Sequence, residues 1–370
     1  MSHLFSPVSI GNLALTNRIV VAPMCQYSAR DGCATDWHLM HLGQLAQSGA
    51  GLLVIEATAV TPEGRITPAD LGLYSGANEA ALGRVVAAVR QYAATPIAIQ
   101  LAHAGRKASS QTPWDGGAVL DFAAGGWKTL APSALPHADG EPLPDALDTD
   151  GITRILQAFT AAAERAGRIG IDAIELHAAH GYLLHQFLSP LANRRSDGYG
   201  GALEQRMRLV LEAFAAVRQG FPADRPVGVR ISATDWVDGG WNVEHSAVLA
   251  RELAALGCAY IHVSSGGISP RQRISPGPGY QVALAARIRR EVDIPVIAVG
   301  LITEAEQAET ILASGQADLV ALARAMLYNP RWPWHAAAKM GAQIEAPPQY
   351  WRSLPHGQPP LFSGARIGQR

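Results

Sequence analysis

Along the chain, short runs of apolar, largely β-branched residues alternate with longer segments whose apolar positions return at helical spacing. The runs are IVVAPM (19–24), LLVIE (52–56), PIAIQL (96–101), DAIELH (172–177), PVGVRIS (226–232), AYIHVS (259–264), PVIAVG (295–300) and DLVALA (318–323). Each has strand length and nearly continuous apolar character, the pattern of parallel strands covered on both faces. Amphipathic stretches lie between them at 38–49, 78–93, 151–170, 203–220, 244–257, 281–292 and 304–315. Several end at Gly, as helix C-termini often do. This alternation predicts an α/β fold, a (β/α)8 TIM barrel with insertions. A doubly wound sheet would ordinarily carry a GxGxxG turn after its first strand, whereas here that strand runs into Pro23-Met24-Cys25-Gln26-Tyr27.

Three segments stand outside the alternation. Residues 8–17 (VSIGNLALTN) read as an N-terminal β-hairpin closing the barrel floor. Residues 103–150, rich in Gly, Pro and Trp, form a long loop after the third strand, and loops of this length are usually lids or binding loops. The Pro-rich tail after Met340 reads as a surface extension. The expected organisation is one barrel domain over 1–340 and a C-terminal extension over 341–370 that contacts a neighbouring subunit.

Composition narrows the class. The 370 residues carry 30 Lys+Arg against 31 Asp+Glu, which gives no electrostatic case for nucleic acid or an anionic membrane. Cys25, Cys33 and Cys258 have no paired spacing, as expected in a reducing compartment without structural disulfides. The first residues lack a basic segment followed by an apolar one, and no run reaches the ~18 apolar residues of a membrane span. A cytoplasmic protein is expected.

In a (β/α)8 barrel the chemistry gathers at the C-terminal ends of the strands. Cys25 and Tyr27 follow the first strand, Glu56-Ala57-Thr58 end the second, and Gln100 then His103 end the third. His177, His180 and Tyr182 follow the fourth, Arg230 lies near the end of the fifth, and Ser264-Ser265-Gly266-Gly267 follow the sixth. Gly300 ends the seventh and Ala323-Arg324 the eighth. One shared pocket accounts for this better than independent accidents. Gly266, Gly267 and Gly300 read either as turn glycines or as points where backbone approaches a phosphate, which this fold commonly holds after strands seven and eight. Arg324 favours the second reading through a charge-assisted contact. Gln100 and Arg230 are expected to point into the barrel top. A buried Arg needs compensation, and the nearby sequence offers no carboxylate, so a distant Asp or Glu or a ligand acceptor must supply it. A flat heterocycle with amide-like edges, such as flavin mononucleotide (FMN), satisfies both side chains.

The stretch ELHAAHGYLLHQFLSP (175–190) admits three readings. His177 and His180 as metal ligands need a third, with His103 and Glu56 the candidates. They can instead be core histidines bonded to backbone. As a pair they can also donate to one substrate oxygen and stabilise charge growing there. In that case Tyr182, protonated at neutral pH, is placed to deliver a proton to carbon; packing as core is its alternative.

These residues and their order resemble the Old Yellow Enzyme family of flavin-dependent ene-reductases. The resemblance rests on Ile10-Gly11-Asn12 with Asn17-Arg18, Ala22-Pro23-Met24-Cys25, Gln100 to Arg106, His177-Ala178-Ala179-His180-Gly181-Tyr182-Leu183, Phe187 to Pro190, Asn193-Arg194-Arg195, Tyr199-Gly200-Gly201 and Arg206. Cys25 resembles the thermophilic-like bacterial branch. The resemblance implies that Ala22, Pro23, Met24, Cys25, Ala57, Gln100, Arg230, Val299, Gly300, Ala323 and Arg324 hold non-covalent FMN. It implies that Tyr27, His177, His180 and Tyr182 face the substrate, with no metal. Gln349-Tyr350-Trp351-Arg352 is similar to a segment that places an arginine in a neighbouring subunit's site, although Trp351 departs from that pattern, so a homodimer or homotetramer is implied.

The implied activity is an NADPH dehydrogenase, with NADH weaker, that reduces the C=C bond of unsaturated aldehydes, ketones, maleimides or nitroalkenes. Two rivals are a metal-dependent hydrolase using His177 and His180 and a catalytically silent flavin binder. A dienoyl-CoA reductase relative would need four thiolates for its iron–sulfur cluster, and the chain has 3 Cys.

Overall fold

Gly11, at φ +53°, turns a short antiparallel hairpin, β1 (Val8–Ile10) and β2 (Leu13–Leu15). In the computed structural model, which describes residues 2–354 and 360–366, Ile10 and Leu15 of this hairpin are buried against the barrel interior. The hairpin is thus the floor of the barrel. Next come β3 (Ile19–Val21), α1 (Asp36–Ala46), β4 (Leu52–Ala59), α2 (Gly76–Arg90) and β5 (Ile97–Ala102). An insertion carrying β6 (Leu130–Ala131) and β7 (Asp145–Ala146) follows. The chain continues through α3 (Thr149–Arg168), β8 (Ala173–Ala178), α4 (Leu183–Leu188), α5 (Leu203–Gly220), β9 (Val227–Ser232) and α6 (Val243–Ala255). It ends with β10 (Ile261–Ser264), α7 (Val282–Arg289), β11 (Val296–Val299), α8 (Ala305–Ala313), β12 (Leu319–Leu322), α9 (Arg324–Tyr328) and α10 (Trp332–Met340).

The strands β3, β4, β5, β8, β9, β10, β11 and β12 pair in that order as parallel neighbours, and β12 closes on β3. All eight predicted runs are barrel strands. Alternate side chains on each strand point to opposite faces, so every strand feeds two cores. One face packs under the helices; the other fills the barrel with Val20, Leu52, Val54, Ala98, Ala173, Tyr260, Ile297 and Leu319. Residues two apart therefore climb the interior from floor to mouth: Ala98–Gln100, Ala173–Glu175–His177, Gly228–Arg230–Ser232 and Tyr260–His262–Ser264. The floor is apolar and the mouth is polar.

One expectation needs correction. The second strand does not stop at Glu56: β4 runs to Ala59, with a register shift between Ile55 and Ala57 that places Glu56 in a bulge. The long loop expected over 103–150 holds short ordered pieces of its own. β6 and β7 pair in parallel, Arg106 donates to the Pro136 (3.0 Å) and Ile268 (2.8 Å) carbonyls, and the Trp127 indole donates to the Glu63 carbonyl at 2.9 Å. Those ties link residues far apart in sequence, which local patterning cannot show.

After α10 the extension packs back on the barrel. Ile344 pairs with Leu361 through its amide (2.9 Å), Phe362 lies edge-on to Trp334 at 4.9 Å, and the Arg331 guanidinium sits between Trp334 and Tyr350. Residues 355–359 and 367–370 of the expected extension lie outside the described residues. Among the described residues, no helix is long and apolar enough to cross a membrane.

Tyr260 fills the interior only because β9 carries glycine opposite it: a Cβ on Gly228 would lie 2.3 Å from the ring. Gly228→Ala is expected to lower unfolding free energy by about 1–3 kcal/mol in urea titration, as overpacking does. An unchanged midpoint would contradict this account of the interior.

Candidate active site

The mouth of the barrel is built from the β8–α4 turn. His177 is buried, and its Nδ1 accepts the Ala179 amide at 3.1 Å. An amide only donates, so the His177 proton resides on Nε2. That N–H is directed at His180 Nδ1 (3.3 Å), which leaves the His180 proton on Nε2, donated to Ser264 Oγ at 2.7 Å. The rings stand edge to face with centroids 5.1 Å apart. Burial first, and the Arg230 charge second, hold both imidazoles well below their ordinary 6.5, so both are neutral at pH 7. In this arrangement the His177 N–H is satisfied by His180 and the His180 N–H by Ser264, because a buried donor must find an acceptor. The 3.3 Å contact is the long member of the chain and the one an incoming oxygen would replace.

The turn itself is under tight control. His180 adopts φ +59°, a region few non-glycine residues occupy. Its amide donates to Ser232 Oγ (2.9 Å), and its carbonyl accepts from Lys107 Nζ (2.9 Å). Lys107 also reaches the Gly267 carbonyl at 3.0 Å. Gly181 donates to His185 Nδ1 (2.9 Å), and His185 is held in turn by the buried Asp235 at 2.9 Å. A Cβ on Gly181 would lie 2.0 Å from the Gly267 carbonyl oxygen, and one on Gly267 2.4 Å from the His180 carbonyl carbon. Gly267 therefore serves the close approach of two loops and not a phosphate.

Tyr182 is the N-cap of α4, its ring 4.9 Å from that of His177 and 5.3 Å from Lys107 Nζ. Burial, then Cys25 and Tyr27, push its phenol well above its ordinary 10.0. The same burial, with Arg106 second, brings Lys107 down to about 8. Tyr27, at φ +48°, stands edge-on to Trp114 of the insertion at 5.7 Å. Cys25 is raised well above 9.0, chiefly by burial and then by Asp70 and Glu56, so it is a neutral thiol. Glu56 accepts the Gln26 amide at 2.7 Å and faces His38 at 3.4 Å; His103 packs on Gly64 and accepts the Gly105 amide at 3.0 Å. Neither joins His177 and His180. Among the described residues, no three His, Cys, Asp or Glu side chains converge to hold a metal.

Under the mouth lies a buried charge layer. Gln100 Nε2 donates to Glu175 Oε1 (2.7 Å), and His262 Nδ1 donates to Glu175 Oε2 (2.9 Å). Burial acts to raise the Glu175 carboxyl, but His262, Arg230 and Gln100 outweigh it and hold the group below its ordinary 4.5. Arg230, buried and paired in register with both His177 and His262, takes its compensation from this carboxylate. Its Nε has no acceptor. So burial disfavours the Arg230 charge, Glu175 offsets it through space without an ion pair within 4.0 Å, and the guanidinium has no hydrogen-bond acceptor among the described residues. Glu175 was legible in principle, since it shares a strand face with His177.

Arg230, Val299, Gly300, Ala323 and Arg324 line one cavity of about 150 Å3 beside Ser264 and Gln281. Gly300 sits at φ +128°, where a Cβ would lie 2.8 Å from Gln281 Nε2. The predicted cofactor residues of strands five, seven and eight thus share one space, and Arg324 opens the short α9. Ala22 is buried behind β3, with Pro23, Met24 and Cys25 following, and Ala57 is buried in β4 next to Gln100. Arg352 does not join this chain's own site: it is exposed on a 3-10 turn (Pro348–Ser353) of the extension. Lys107, Glu175, Ser232, His262 and Gln281 were not among the predicted site residues, and Ser264 was placed at the mouth without a role.

Neutral buried histidines set a pH dependence. The unfolded chain takes up protons near pH 6.5 at these imidazoles while the fold resists, so the unfolded state binds more protons below that pH and stability falls as pH drops. Each histidine contributes a slope of up to about 1.4 kcal/mol per pH unit. Urea unfolding between about pH 7 and 5 should therefore show a shallower slope for His177→Gln/His180→Gln than for the wild type. Equal slopes would contradict the neutral assignment.

The chain matches the NADH:flavin oxidoreductase / NADH oxidase family over residues 3–343. It is 44% identical over 351 residues to an NADPH dehydrogenase of Geobacillus thermodenitrificans (strain NG80-2), covering 94% of this chain and 98% of that protein. Among solved structures, morphinone reductase in complex with tetrahydroNAD superposes with a TM-score of 0.76 at 31% identity, covering 94% of this chain and 93% of the other. An old yellow enzyme homologue from Zymomonas mobilis gives 0.75 at 28%, covering 93% and 94%. The chain belongs to the NADH:flavin oxidoreductase / NADH oxidase family, the Old Yellow Enzyme group of flavin-dependent NAD(P)H oxidoreductases.

Proposed function

We propose that the chain is an FMN-dependent NADPH ene-reductase acting on alkenes conjugated to a carbonyl or nitro group. The observation that carries this reading is the single mouth at which Arg230 links two sets of residues: it lines the cavity with Gly300 and Arg324, and it pairs in register with His177. The residues fit FMN. Arg230 Nε is a buried donor without an acceptor, and Gly300 keeps open a cradle that a side chain would fill. Gln100 and Arg230 would meet the polar edge of the ring system, and Ala22, Pro23, Met24, Cys25 and Ala57 would flank it. Val299, Gly300, Ala323 and Arg324 would take the phosphate end. FMN, when bound, supplies two-electron transfer between NADPH and the alkene.

The protein's own part is binding, orientation and proton supply. His177 Nε2–H, turning from its long contact with His180, donates to the substrate oxygen, and His180 Nε2–H donates beside it on exchanging Ser264 Oγ for that oxygen. Both are neutral donors, held so by burial and Arg230, and their bonds strengthen as charge grows on that oxygen. Tyr182 keeps its proton at neutral pH and delivers it to the α carbon. Tyr27 faces the same space, and Cys25, a neutral thiol, contributes packing and polarity beside the ring. Arg352, exposed on the extension, would complete the site of a neighbouring subunit.

Anaerobic addition of NADPH to the purified yellow protein is expected to bleach the flavin, and cyclohexenone to restore its colour. A protein that bleaches but is not reoxidised by the enone is a silent binder, and a colourless, flavin-free protein defeats the proposal outright. Tyr182→Phe is expected to spare bleaching by NADPH and slow reoxidation by about 100-fold or more; equal loss in both steps removes Tyr182 from proton delivery. Sedimentation should give a dimer or tetramer, while a monomer with full activity takes Arg352 out of the site.

A further inference from the structure

A second cleft, of about 1090 Å3, opens beside the loops that follow β9 and β10, at the same end of the barrel. Arg206 of α5, His245 of α6, and Arg271 and Arg273 of the loop after β10 line it. Elsewhere Arg84, Arg168, Arg251 and Arg287 pair with carboxylates, and Arg18, Arg218, Arg225 and Arg331 with backbone carbonyls. Among the described residues, the three in this cleft have no such partner. Arg206 Nε and Trp236 Nε1 are buried donors with no acceptor, which is costly unless a ligand supplies one. Trp236 also holds φ +54°, a strained conformation of the kind that recurs at ligand clamps.

Acidic groups are also near. Asp238 is exposed at the cleft edge. Asp235, whose oxygens contact His185, Ser189 and the Trp241 amide, and Glu204 both act on Arg206. Arg271 and Arg273 have no ion-pair partner among the described residues, and guanidinium forks match phosphate oxygens two at a time.

One loop joins this cleft to the active site. At one end, Gly267 packs on the His180 backbone, and Ser232 bridges the His180 amide and the Gly266 carbonyl. Five residues on, Gln272 Oε1 accepts the Gly267 amide at 2.7 Å, and the Arg273 backbone amide donates to the Trp236 carbonyl at 3.0 Å. A ligand touching both ends must be long, with its anionic part remote from its reacting part. NADPH has that form.

We propose that this cleft binds the phosphorylated adenosine end of NADPH, with Arg271 and Arg273 on the 2′-phosphate and Arg206 and the Trp236 N–H on the remaining oxygens. Preference for NADPH over NADH is then set by two loop arginines. The inference rests on the reading of NADPH as hydride donor, and it extends that reading to coenzyme selection.

Calorimetry on the flavin-loaded protein tests it with three probes. 2′,5′-ADP is expected to bind at least about ten-fold tighter than 5′-AMP, and Arg271→Ala/Arg273→Ala to abolish that difference. In stopped-flow bleaching at subsaturating coenzyme, the same variant should lower the ratio of NADPH to NADH rates about ten-fold or more. Retained preference for 2′,5′-ADP in the variant, or an unchanged rate ratio, overturns the proposal. So does binding of 3′,5′-ADP as tight as that of 2′,5′-ADP, which would assign the cleft to a coenzyme A-type ligand. Both arginines are exposed, so the variants should fold; an unchanged melting midpoint confirms it. If neither coenzyme bleaches the wild type, the activity reading fails, and the nucleotide titration still decides the cleft.

Discussion

A guanidinium cannot be kept inside an apolar barrel unless a negative charge is kept with it. Arg230 is buried above a floor of Val20, Leu52, Ala98, Ile297 and Tyr260, and Glu175 is the carboxylate that answers it. Glu175 needs its own support, which comes from Gln100 and His262 on neighbouring strands. The layer binds four adjacent strands, β5, β8, β9 and β10, through polar groups where hydrophobic contact would give no direction. Removing one member would leave a buried charge unanswered, which costs far more than the pair contributes in net stability.

Everything above this layer inherits its electrostatics. Burial first, and the Arg230 charge second, disfavour protonation of His177 and His180, so the two rings are neutral. Their tautomers follow from an amide and a hydroxyl, Ala179 and Ser264, and not from any charged neighbour. The turn carrying them is fixed by Lys107, Ser232 and the facing glycines 181 and 267. Rigid support of this kind lets a short loop hold donor groups in a reactive geometry.

Much of this was legible in the sequence. The barrel was visible as eight buried runs, and the mouth as the set of polar residues just past them. Strand parity carried more than was used: Glu175 lies two residues before His177 and shares its face. What the sequence could not show was pairing over long separations. Lys107 reaches a carbonyl 73 residues away and His180 a hydroxyl 84 away, and nothing local marks either partner. Gly267 read as a candidate phosphate contact because a glycine alone does not say which backbone it admits. The bulge at Glu56 was missed for a related reason, since a strand's apolar run does not reveal where its ladder slips.

Glu175 compensates Arg230 beneath the mouth at which FMN is proposed to bind. The most direct test is the reduction potential of that flavin in Glu175→Gln, whose side chain keeps the shape and loses the charge. With the carboxylate gone, the Arg230 charge stands uncompensated and favours added electrons, so the potential should rise at unchanged flavin content. A potential equal to that of the wild type, or lower, would contradict the account.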